Sequence, residues 1–290
     1  MKATLKIINR YYWKSIFGPG ILFLFSILYI YVISNAWSLF GMLKSVSVIP
    51  TAMAMITSLV GLFCIPVTIN TLRQSVLMRR IGVSNISPFM FMFTIIVYYG
   101  IMIALSYIWI FVWCFAFYAF KMNEYTTLLT SIDWGGLIFA ILINYLLSIS
   151  IGMFILIFTK RNYVITIIAT IITIMNFLLS GYAAPLPLIH SALPDYKTGT
   201  FYVVYIDPFW YTSAMNYEAA FSHANNFFNF YGTSIFNPMQ KMMGKTITTT
   251  TEYKEVILFE FDKCLNLFLP VSMIAIFGSI SGFNFKWNIR

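Results

Sequence analysis

The side chains that could carry acid–base or metal chemistry are few, and they lie outside the apolar parts of the chain. The 9 acidic residues and 2 histidines are absent from six apolar stretches, and so are all lysines and arginines. These stretches are 17–38, 47–70, 88–119, 134–158, 163–182 and 264–283. Membrane spans without ionisable residues give no sign of a proton relay, a buried ion site or an intramembrane active site.

Familiar catalytic motifs are also missing from the chain. No GxxxxGK[ST] phosphate loop and no HExxH zinc motif occurs. His190 and His223 lie far apart, and we interpret them as solvated or structural. Cys64, Cys114 and Cys264 lack metal-ligand spacing and are typical of small apolar packing residues. We therefore expect no catalytic residue, no metal site and no cofactor on this chain, which disfavours a self-contained enzyme.

The composition favours a membrane protein. Hydrophobic residues make up 60% of the chain and charged residues 9%, against about a quarter charged in soluble proteins. About 20 apolar residues cross ~30 Å of hydrocarbon, and segments that do so in lipid must be helical. The first stretch has this length and no small-residue cleavage site after it, so we expect no cleaved signal peptide. The sequence predicts an all-α polytopic protein with six transmembrane helices.

The basic residues indicate the orientation of these spans. With both termini on one side of the membrane, that side carries eleven basic residues and no acidic ones, whereas all nine acids lie opposite. The eleven are Lys2, Lys6, Arg10, Lys14, Arg73, Arg79, Arg80, Lys160, Arg161, Lys286 and Arg290. Basic excess marks the cytoplasmic side. We expect a multi-pass protein of a bacterial plasma membrane with both termini cytoplasmic, and no nucleic-acid partner.

Two cytoplasmic segments show helical spacing. Lys2, Lys6, Arg10 and Lys14 are four residues apart, which predicts an amphipathic helix over 1–16 on the inner membrane surface. An ordinary basic flank of the first span is the alternative. Between spans 2 and 3, apolar residues and arginines at helical spacing predict a short cytoplasmic helix over 71–82, ended by a glycine.

The connection between spans 5 and 6 is the unusual part of the chain. It starts with a proline-broken apolar run, which is tolerated at membrane depth where protein covers it. We therefore predict a re-entrant hairpin at 181–210, followed by an extracellular insert over 212–262 whose fold stays open. The predicted domains are an inner-surface helix (1–16), spans 1–5 (17–182), an extracellular region (183–263), and span 6 with a cytoplasmic tail (264–290).

The order of these elements, together with one local pattern, resembles a known family. The pattern is Phe177-Leu-Leu-Ser-Gly-Tyr-Ala-Ala-Pro185, then Leu193-Pro194, then Asp207-Pro208-Phe-Trp-Tyr211. It is similar to the type-2 permease class of ABC exporters, which handles drugs, antimicrobial peptides and polysaccharides. Asp207 stands where the family usually has asparagine, and the insert after 212 is larger than usual.

The resemblance implies roles for particular residues. The 71–82 helix would be the coupling helix on a separate ATPase, through Leu72, Arg73, Val76, Leu77, Arg79 and Arg80. The 1–16 helix would be the elbow helix, carrying Lys2, Lys6, Arg10 and Lys14. The re-entrant outer gate would comprise Gly181, Pro185, Pro187, Pro194, Asp207, Pro208 and Tyr211. The substrate pathway would be lined by Thr57, Val60, Asn176, Phe177 and Ser180.

The leading functional hypothesis is therefore the permease subunit of an ABC exporter. Its expected partners are two copies of a cytoplasmic ATPase that binds ATP and Mg, a second permease chain (identical or paralogous), membrane lipids, and a hydrophobic or amphipathic cargo. Peptides, toxins, lipid-like compounds and drugs fit such a pathway, because apolar surfaces bind by burial. A stand-alone channel or secondary transporter, and a peptide-binding sensor or immunity protein, remain as alternatives.

Overall fold

Every regular element in the described part of the chain is a helix. The computed structural model describes residues 2–14, 17–39, 48–74, 88–117, 129–130, 132–159, 161–183, 206–221 and 263–284. The helices are α1 (Lys2–Lys14), α2 (Phe17–Pro19, Gly20–Phe25 and Ser26–Leu39), α3 (Val48–Leu59, Val60–Cys64 and Ile65–Gln74), α4 (Pro88–Phe117), α5 (Trp134–Phe158), α6 (Asn162–Leu179), α7 (Pro208–Phe221) and α8 (Lys263–Asn284). The predicted all-α class is confirmed for these ranges.

Four helices are long and apolar enough to cross a membrane: the segments Val48–Arg73, Met90–Ala116, Trp134–Phe158 and Asn162–Leu179. Two further apolar helical segments are shorter, at Gly20–Ala36 and Leu267–Gly282. At 1.5 Å per residue, even the 18-residue segment covers about 27 Å, close to the thickness of the hydrocarbon layer. The chain is therefore a transmembrane protein.

Helix α5 lies at the centre of the bundle and packs against α3, α6, α7 and α8. Its closest approach is to α3, where glycines replace larger side chains. A Cβ added to Gly152 would lie 2.5 Å from the Gly61 carbonyl oxygen, and a Cβ added to Gly61 would lie 2.3 Å from Ser148 Cβ. Small residues allow two membrane helices to come this close, so that dispersion contacts stabilise the crossing.

Helices α2 and α3 each contain one π-helical segment, at Gly20–Phe25 and Val60–Cys64. A π turn interrupts the regular pattern of helical backbone hydrogen bonds. Within the π segment of α2, the Phe23 carbonyl accepts from two side chains, Trp109 Nε1 at 3.2 Å and Ser26 Oγ at 2.9 Å. In α3 the π segment contains Gly61, so the irregularity coincides with the α5 crossing.

Helix α1 is fastened to α4 by polar and aromatic contacts. The Tyr98 hydroxyl donates to Asn9 Oδ1 at 2.7 Å, and the fully buried Tyr12 packs edge-on against Tyr98 and Tyr99. The basic side chains of Lys6, Arg10 and Lys14 are exposed on the rest of the helix. Helix α1 thus has one face docked on the bundle and a basic face left uncovered.

The predicted boundaries need correction at the end of the second apolar stretch. Helix α3 continues to Gln74, beyond the end that the sequence predicts near Asn70, so Leu72 and Arg73 lie on its last turn and not on a separate helix. Leu72 is only 4% exposed and packs in the core. The physical reason is a pair of hydrogen bonds that hold this turn against the start of α6. Asn162 Oδ1 accepts from Asn70 Nδ2, and Asn162 Nδ2 donates to Thr71 Oγ1.

Candidate functional site

A buried polar cluster lies where α3, α5, α6 and α7 meet, and we call it the Asp207 cluster. Each member is 7% exposed or less. The members are Ser58, Asn144, Asn176, Ser180, Tyr182, Asp207 and Thr212. Burial of polar groups is costly unless they are hydrogen-bonded, so the pairing within this cluster decides whether it joins or separates the helices.

Asp207 is both the N-cap of α7 and its link to α6. Its Oδ1 accepts from the Phe209 backbone N–H at 3.1 Å, and Pro208 follows as the first helical residue, a combination favoured at helix starts. Its Oδ2 accepts from the Ser180 hydroxyl, and Asn176, with its amide nitrogen turned toward acceptors, donates to Oδ1 at 3.2 Å. Three donors therefore converge on one buried carboxyl group.

The Asp207 carboxyl group is 7% exposed, so hydrogen bonds within the protein take the place of contacts with water. Its donors are the Ser180 hydroxyl and the Phe209 N–H, together with the amide of Asn176. A buried polar group is stabilised by such donors, which is how this carboxyl group can lie between α6 and α7.

Asn144 joins three helices at the deepest point of the cluster. Its Nδ2 donates to the Ala54 carbonyl at 3.0 Å, which ties α5 to α3. Its Oδ1 accepts from Ser58 Oγ and Thr212 Oγ1, each at 3.3 Å, which adds α7. Ser58 also contacts the Tyr182 hydroxyl at 3.0 Å. Both the nitrogen and the oxygen of the Asn144 amide therefore have partners on neighbouring helices, as expected for a buried polar group that specifies packing.

Helix α7 begins part-way along α5 and runs back to its first turn. Near its start, Thr212 bonds to Asn144, which lies about 15 Å along α5 from Trp134. Near its end, the Ala219 carbonyl accepts from the N–H of Asp133, the N-cap of α5, at 2.8 Å. Helix α7 therefore runs antiparallel to the first half of α5, from the level of Asn144 to the N-cap.

The end of α6 is shaped by a glycine. Gly181 has φ 80°, a left-handed conformation that glycine adopts without the steric cost of a Cβ. The Ala183 N–H then reaches back to the Phe177 carbonyl at 2.9 Å, and the Tyr182 carbonyl accepts from the Tyr29 hydroxyl of α2. This reversal places Ser180 beside Asp207, 27 residues further along the chain.

The structure brings together only part of the predicted site. Of the predicted pathway residues, Asn176 and Ser180 join Asp207, and the half-buried Phe177 packs beside them. Thr57 bonds to Tyr107 of α4 and Val60 lies in the π segment, both fully buried and on a different face of α3 from Ser58. Among the predicted gate residues, Gly181, Asp207, Pro208 and the buried Tyr211 are described.

Other predicted residues lie outside the described part of the chain. They are Val76, Leu77, Arg79 and Arg80 of the coupling segment, Pro185, Pro187 and Pro194 of the hairpin, and Lys160. The insert over 212–262 is described only as far as Phe221, where α7 ends. Within the described ranges, no three His, Cys, Asp or Glu side chains are grouped so as to hold a metal ion.

The sequence reasoning missed Ser58, Asn144, Tyr182 and Thr212. It named only Thr57, Asn176 and Ser180 among the uncharged polar residues of the apolar stretches. Such residues are a usable signal, because Ser, Thr and Asn in membrane helices often bond across a helix interface. Asn144 is the clearest example, since it is the one asparagine in the stretch 134–158.

Comparisons with known proteins add no further identification. No family model, no curated protein and no solved structure matches this chain.

Asn216, one turn beyond Thr212, is a buried asparagine outside the Asp207 cluster, and it differs from Asn144 and Asn176 in its hydrogen bonding. It is 1% exposed, and neither its amide nitrogen nor its amide oxygen has a hydrogen-bond partner within the described ranges. Replacing Asn216 with leucine, which has the same branched arrangement of side-chain heavy atoms, should remove a desolvation cost of about 1–3 kcal/mol and raise the melting temperature. Thermal unfolding of the purified chain in detergent would measure this, and a lower melting temperature would reveal a polar partner that the amide serves.

Proposed function

We propose that this chain is the transmembrane permease subunit of an ATP-driven exporter, of the type-2 ABC class whose pattern its sequence resembles. It would cross a bacterial plasma membrane six times, with the apolar segments of α2 and α8 completing the spans and both termini cytoplasmic. Two copies of a separate ATPase would bind ATP and Mg. This chain would convert their closure into a change of access and would carry no catalytic step.

The observation that supports this proposal most directly is the convergence of the separated parts of the sequence pattern. Ser180-Gly181 ends α6, and Asp207-Pro208 begins α7, yet the Ser180 hydroxyl donates to the Asp207 carboxyl. Tyr211 is buried one turn into α7. In an ordinary outer loop these residues would be exposed to water. In a broken helical element that caps a translocation pathway they would be buried together.

The course of α7 is consistent with a re-entrant segment. Irregular backbone at membrane depth is tolerated where protein covers it, and the start of α7 at Asp207 is covered by α3, α5 and α6. With the Trp134 end of α5 on the outer side, Thr212 near the start of α7 would lie about 15 Å below that end, and α7 would reach the outer surface near Ala219. This arrangement fits a gate on the outer side.

A chain of contacts links the inner end of the protein to this gate. Arg73 lies on the last turn of α3, where Asn70 and Thr71 bond to Asn162 at the start of α6. The other end of α6 carries Ser180, which bonds to Asp207. A push on the inner end of α3 would therefore reach the Asp207 cluster through α6, which is a contiguous physical route between two sites.

Among the four candidate spans, helix α6 is the one least covered by the described parts of the chain. It packs along α3, α5 and α7, while several large apolar side chains on its other side are exposed: Ile167, Ile171, Ile174, Met175 and Leu178. In a two-permease translocator this face would contact the second permease chain or line the pathway for a hydrophobic or amphipathic cargo. Helix α3 is enclosed, so Thr57 and Val60 would reach cargo only after rearrangement.

The test is to recover the partner ATPase with this chain and to disrupt the contact by charge reversal. The full-length chain would be purified from its native membrane in mild detergent, and the bound proteins would be identified. We expect a stoichiometric ATPase, and we expect the double variant Arg79→Glu/Arg80→Glu to reduce its recovery at least about tenfold, because like charges would then face the docking surface.

Lys160→Glu/Arg161→Glu is the matched control for this variant. It reverses the same number of charges on the same predicted side, in the turn between α5 and α6, so any effect on membrane orientation would be shared. The amount of ATPase that co-purifies with this control variant should equal that with the wild type. Purification of the chain without any ATPase, even after crosslinking, would instead favour a stand-alone channel or a peptide-binding membrane protein.

A further inference from the structure

The basic face of helix α1 has no acidic counterpart in the helices around it. Helix α1 packs against α2 and α4 and exposes Lys6, Arg10 and Lys14. The first acidic residue of the sequence is Glu124, so the segment that forms α1 to α4, with its connections, offers these cations no carboxylate. Their counterions must therefore come from outside this part of the molecule.

An aromatic side chain lies among these cations. Trp13 and the three basic residues fall within an arc of about 100° around α1, because 3.6 residues make one turn. Trp13 is 58% exposed, and its ring stacks on Phe23 of α2 with 6.5 Å between the centroids and 11° between the planes. The basic face of α1 is therefore continuous with an aromatic surface on α2.

The aromatic surface continues from α2 onto α4. Phe23 contacts Trp109 edge-on at 6.1 Å, and its carbonyl accepts from Trp109 Nε1 at 3.2 Å. Trp113 follows at 5.6 Å from Trp109. Trp109 lies eleven residues beyond Tyr98, the residue that holds α1, which is about 16 Å along α4. The rings therefore lead from α1 into the interior of a candidate span, and Trp109 is still 36% exposed there.

We propose that this surface is a binding site for one anionic phospholipid. We call it the basic–aromatic strip, and it consists of Lys6, Arg10, Trp13, Lys14, Phe23 and Trp109. The headgroup phosphate lies on the basic face of α1, where the Arg10 guanidinium can donate two hydrogen bonds to it. One acyl chain lies along the rings of Trp13, Phe23 and Trp109. This inference depends neither on an ATPase partner nor on export.

Other occupants would match only one half of the strip. A soluble acidic protein would neutralise the cations but would not reach Trp109 within the segment Met90–Ala116. An uncharged lipid would cover the rings and leave three cations without a counterion. An anionic phospholipid carries both chemistries in one molecule, and the cytoplasmic leaflet that attracts basic residues near membrane spans is rich in such lipids.

The experiment maps lipid contacts on the full-length chain in nanodiscs of phosphatidylcholine. Phosphatidylglycerol and phosphatidylcholine probes, each with a photoreactive diazirine in the acyl chain, would be added separately at the same low mole fraction. After illumination, mass spectrometry of peptides would count the adducts on each helix. Peptides of α1, α2 and α4 report the strip, whereas the exposed positions Ile167 and Ile171 of α6 report ordinary contact with the bilayer.

The expected result is a headgroup preference confined to the strip. Each basic residue near an anionic lipid contributes about fivefold in binding, so three of them predict a ratio of phosphatidylglycerol to phosphatidylcholine adducts on the order of a hundred. On α6 the ratio should be close to one. In 1 M salt, where charges are screened beyond about 3 Å, the ratio at the strip should fall at least about tenfold.

Two variants and one control separate the headgroup contact from the chain contact. Arg10→Gln/Lys14→Gln should lower the ratio at the strip to about fivefold, since one exposed cation remains. Lys160→Gln/Arg161→Gln removes the same number of charges on the same predicted side and should keep the wild-type ratio. Trp13→Leu should reduce the adducts of both probes about threefold and leave their ratio unchanged, because the stacked ring contacts the chain and not the headgroup.

Three results would overturn the lipid site. One is a ratio at the strip that equals the ratio on α6, which would assign the basic face to an acidic protein partner or to solvent. Another is a preference for phosphatidylglycerol that persists in 1 M salt. The third is an equal loss of preference in Arg10→Gln/Lys14→Gln and in the control, which would show a general response to net charge. The salt experiment uses the wild-type chain, so it decides the question even if a variant does not fold.

Discussion

Replacing Gly152 with alanine is expected to disrupt the packing of α3 against α5 and to destabilise the protein by about 3 kcal/mol or more. The new Cβ would lie 2.5 Å from the Gly61 carbonyl oxygen and 2.7 Å from Pro66 Cγ. A backbone oxygen and a proline ring cannot rotate away, so the two helices would have to move apart. The surrounding core of α3, which is almost completely buried, would lose its contacts as well.

Thermal unfolding followed by size-exclusion chromatography in detergent would measure this loss. The matched control is Gly282→Ala on α8, where an added Cβ meets no atom within 4 Å. Alanine is the better helix former by up to about 1 kcal/mol, so this variant should be as stable as the wild type or slightly more stable. Equal behaviour of the two variants would show that the α3–α5 crossing is looser than its geometry indicates.

Asn144→Leu is the second variant with a large expected effect. It keeps the branched arrangement of side-chain heavy atoms and removes the amide that joins α3, α5 and α7. Ser58 and Thr212 keep acceptors at the Ala54 and Phe209 carbonyls, so the substitution removes the hydrogen bonds between the helices and leaves these partners bonded. We expect a loss of about 2–4 kcal/mol, because three hydrogen bonds between helices are removed and each contributes about 0.5–1.5 kcal/mol.

The measurement is the melting temperature, compared directly with that of Asn216→Leu. Both substitutions exchange a buried asparagine for leucine, but the amide of Asn144 bonds to three other residues and that of Asn216 has no partner within the described ranges. The two variants should therefore shift the melting temperature in opposite directions. A rise for both would mean that the Asp207 cluster contributes little to stability and that burial alone holds α7 in place.

The positions of the apolar helices were predictable because hydropathy depends on local composition. Each of the six apolar stretches is helical, and α5 has the predicted limits of 134 and 158. The ends were less predictable where a specific contact decides them. Helix α3 continues to Gln74 past a polar anchor to Asn162, and α6 ends at Leu179 because Gly181 reverses the chain. Neither contact leaves a periodic signal in the sequence.

The candidate site was predictable in part, because prolines, glycines and an aspartate at a helix start have recognisable local chemistry. Asp207, Pro208 and Gly181 belong to this group. Asn144 and Ser58, further members of the Asp207 cluster, could not be inferred in the same way. Each is one of several polar residues in an apolar helix, and the faces on which they lie depend on how α3 and α5 rotate when they pack. The π segment at Val60–Cys64 shifts that rotation further.

The attachment of α1 has a consequence for how the protein is made. The Tyr98 hydroxyl that holds Asn9 comes from a residue 89 positions later in the chain. At 5–20 residues per second, a ribosome needs roughly 5–20 s to synthesise that interval. During this time the first helix lacks its contacts with α4 and can pack only against α2, while its exposed basic face is free to lie on lipid headgroups. The attachment of the N-terminal helix is therefore completed only after α4 has been inserted.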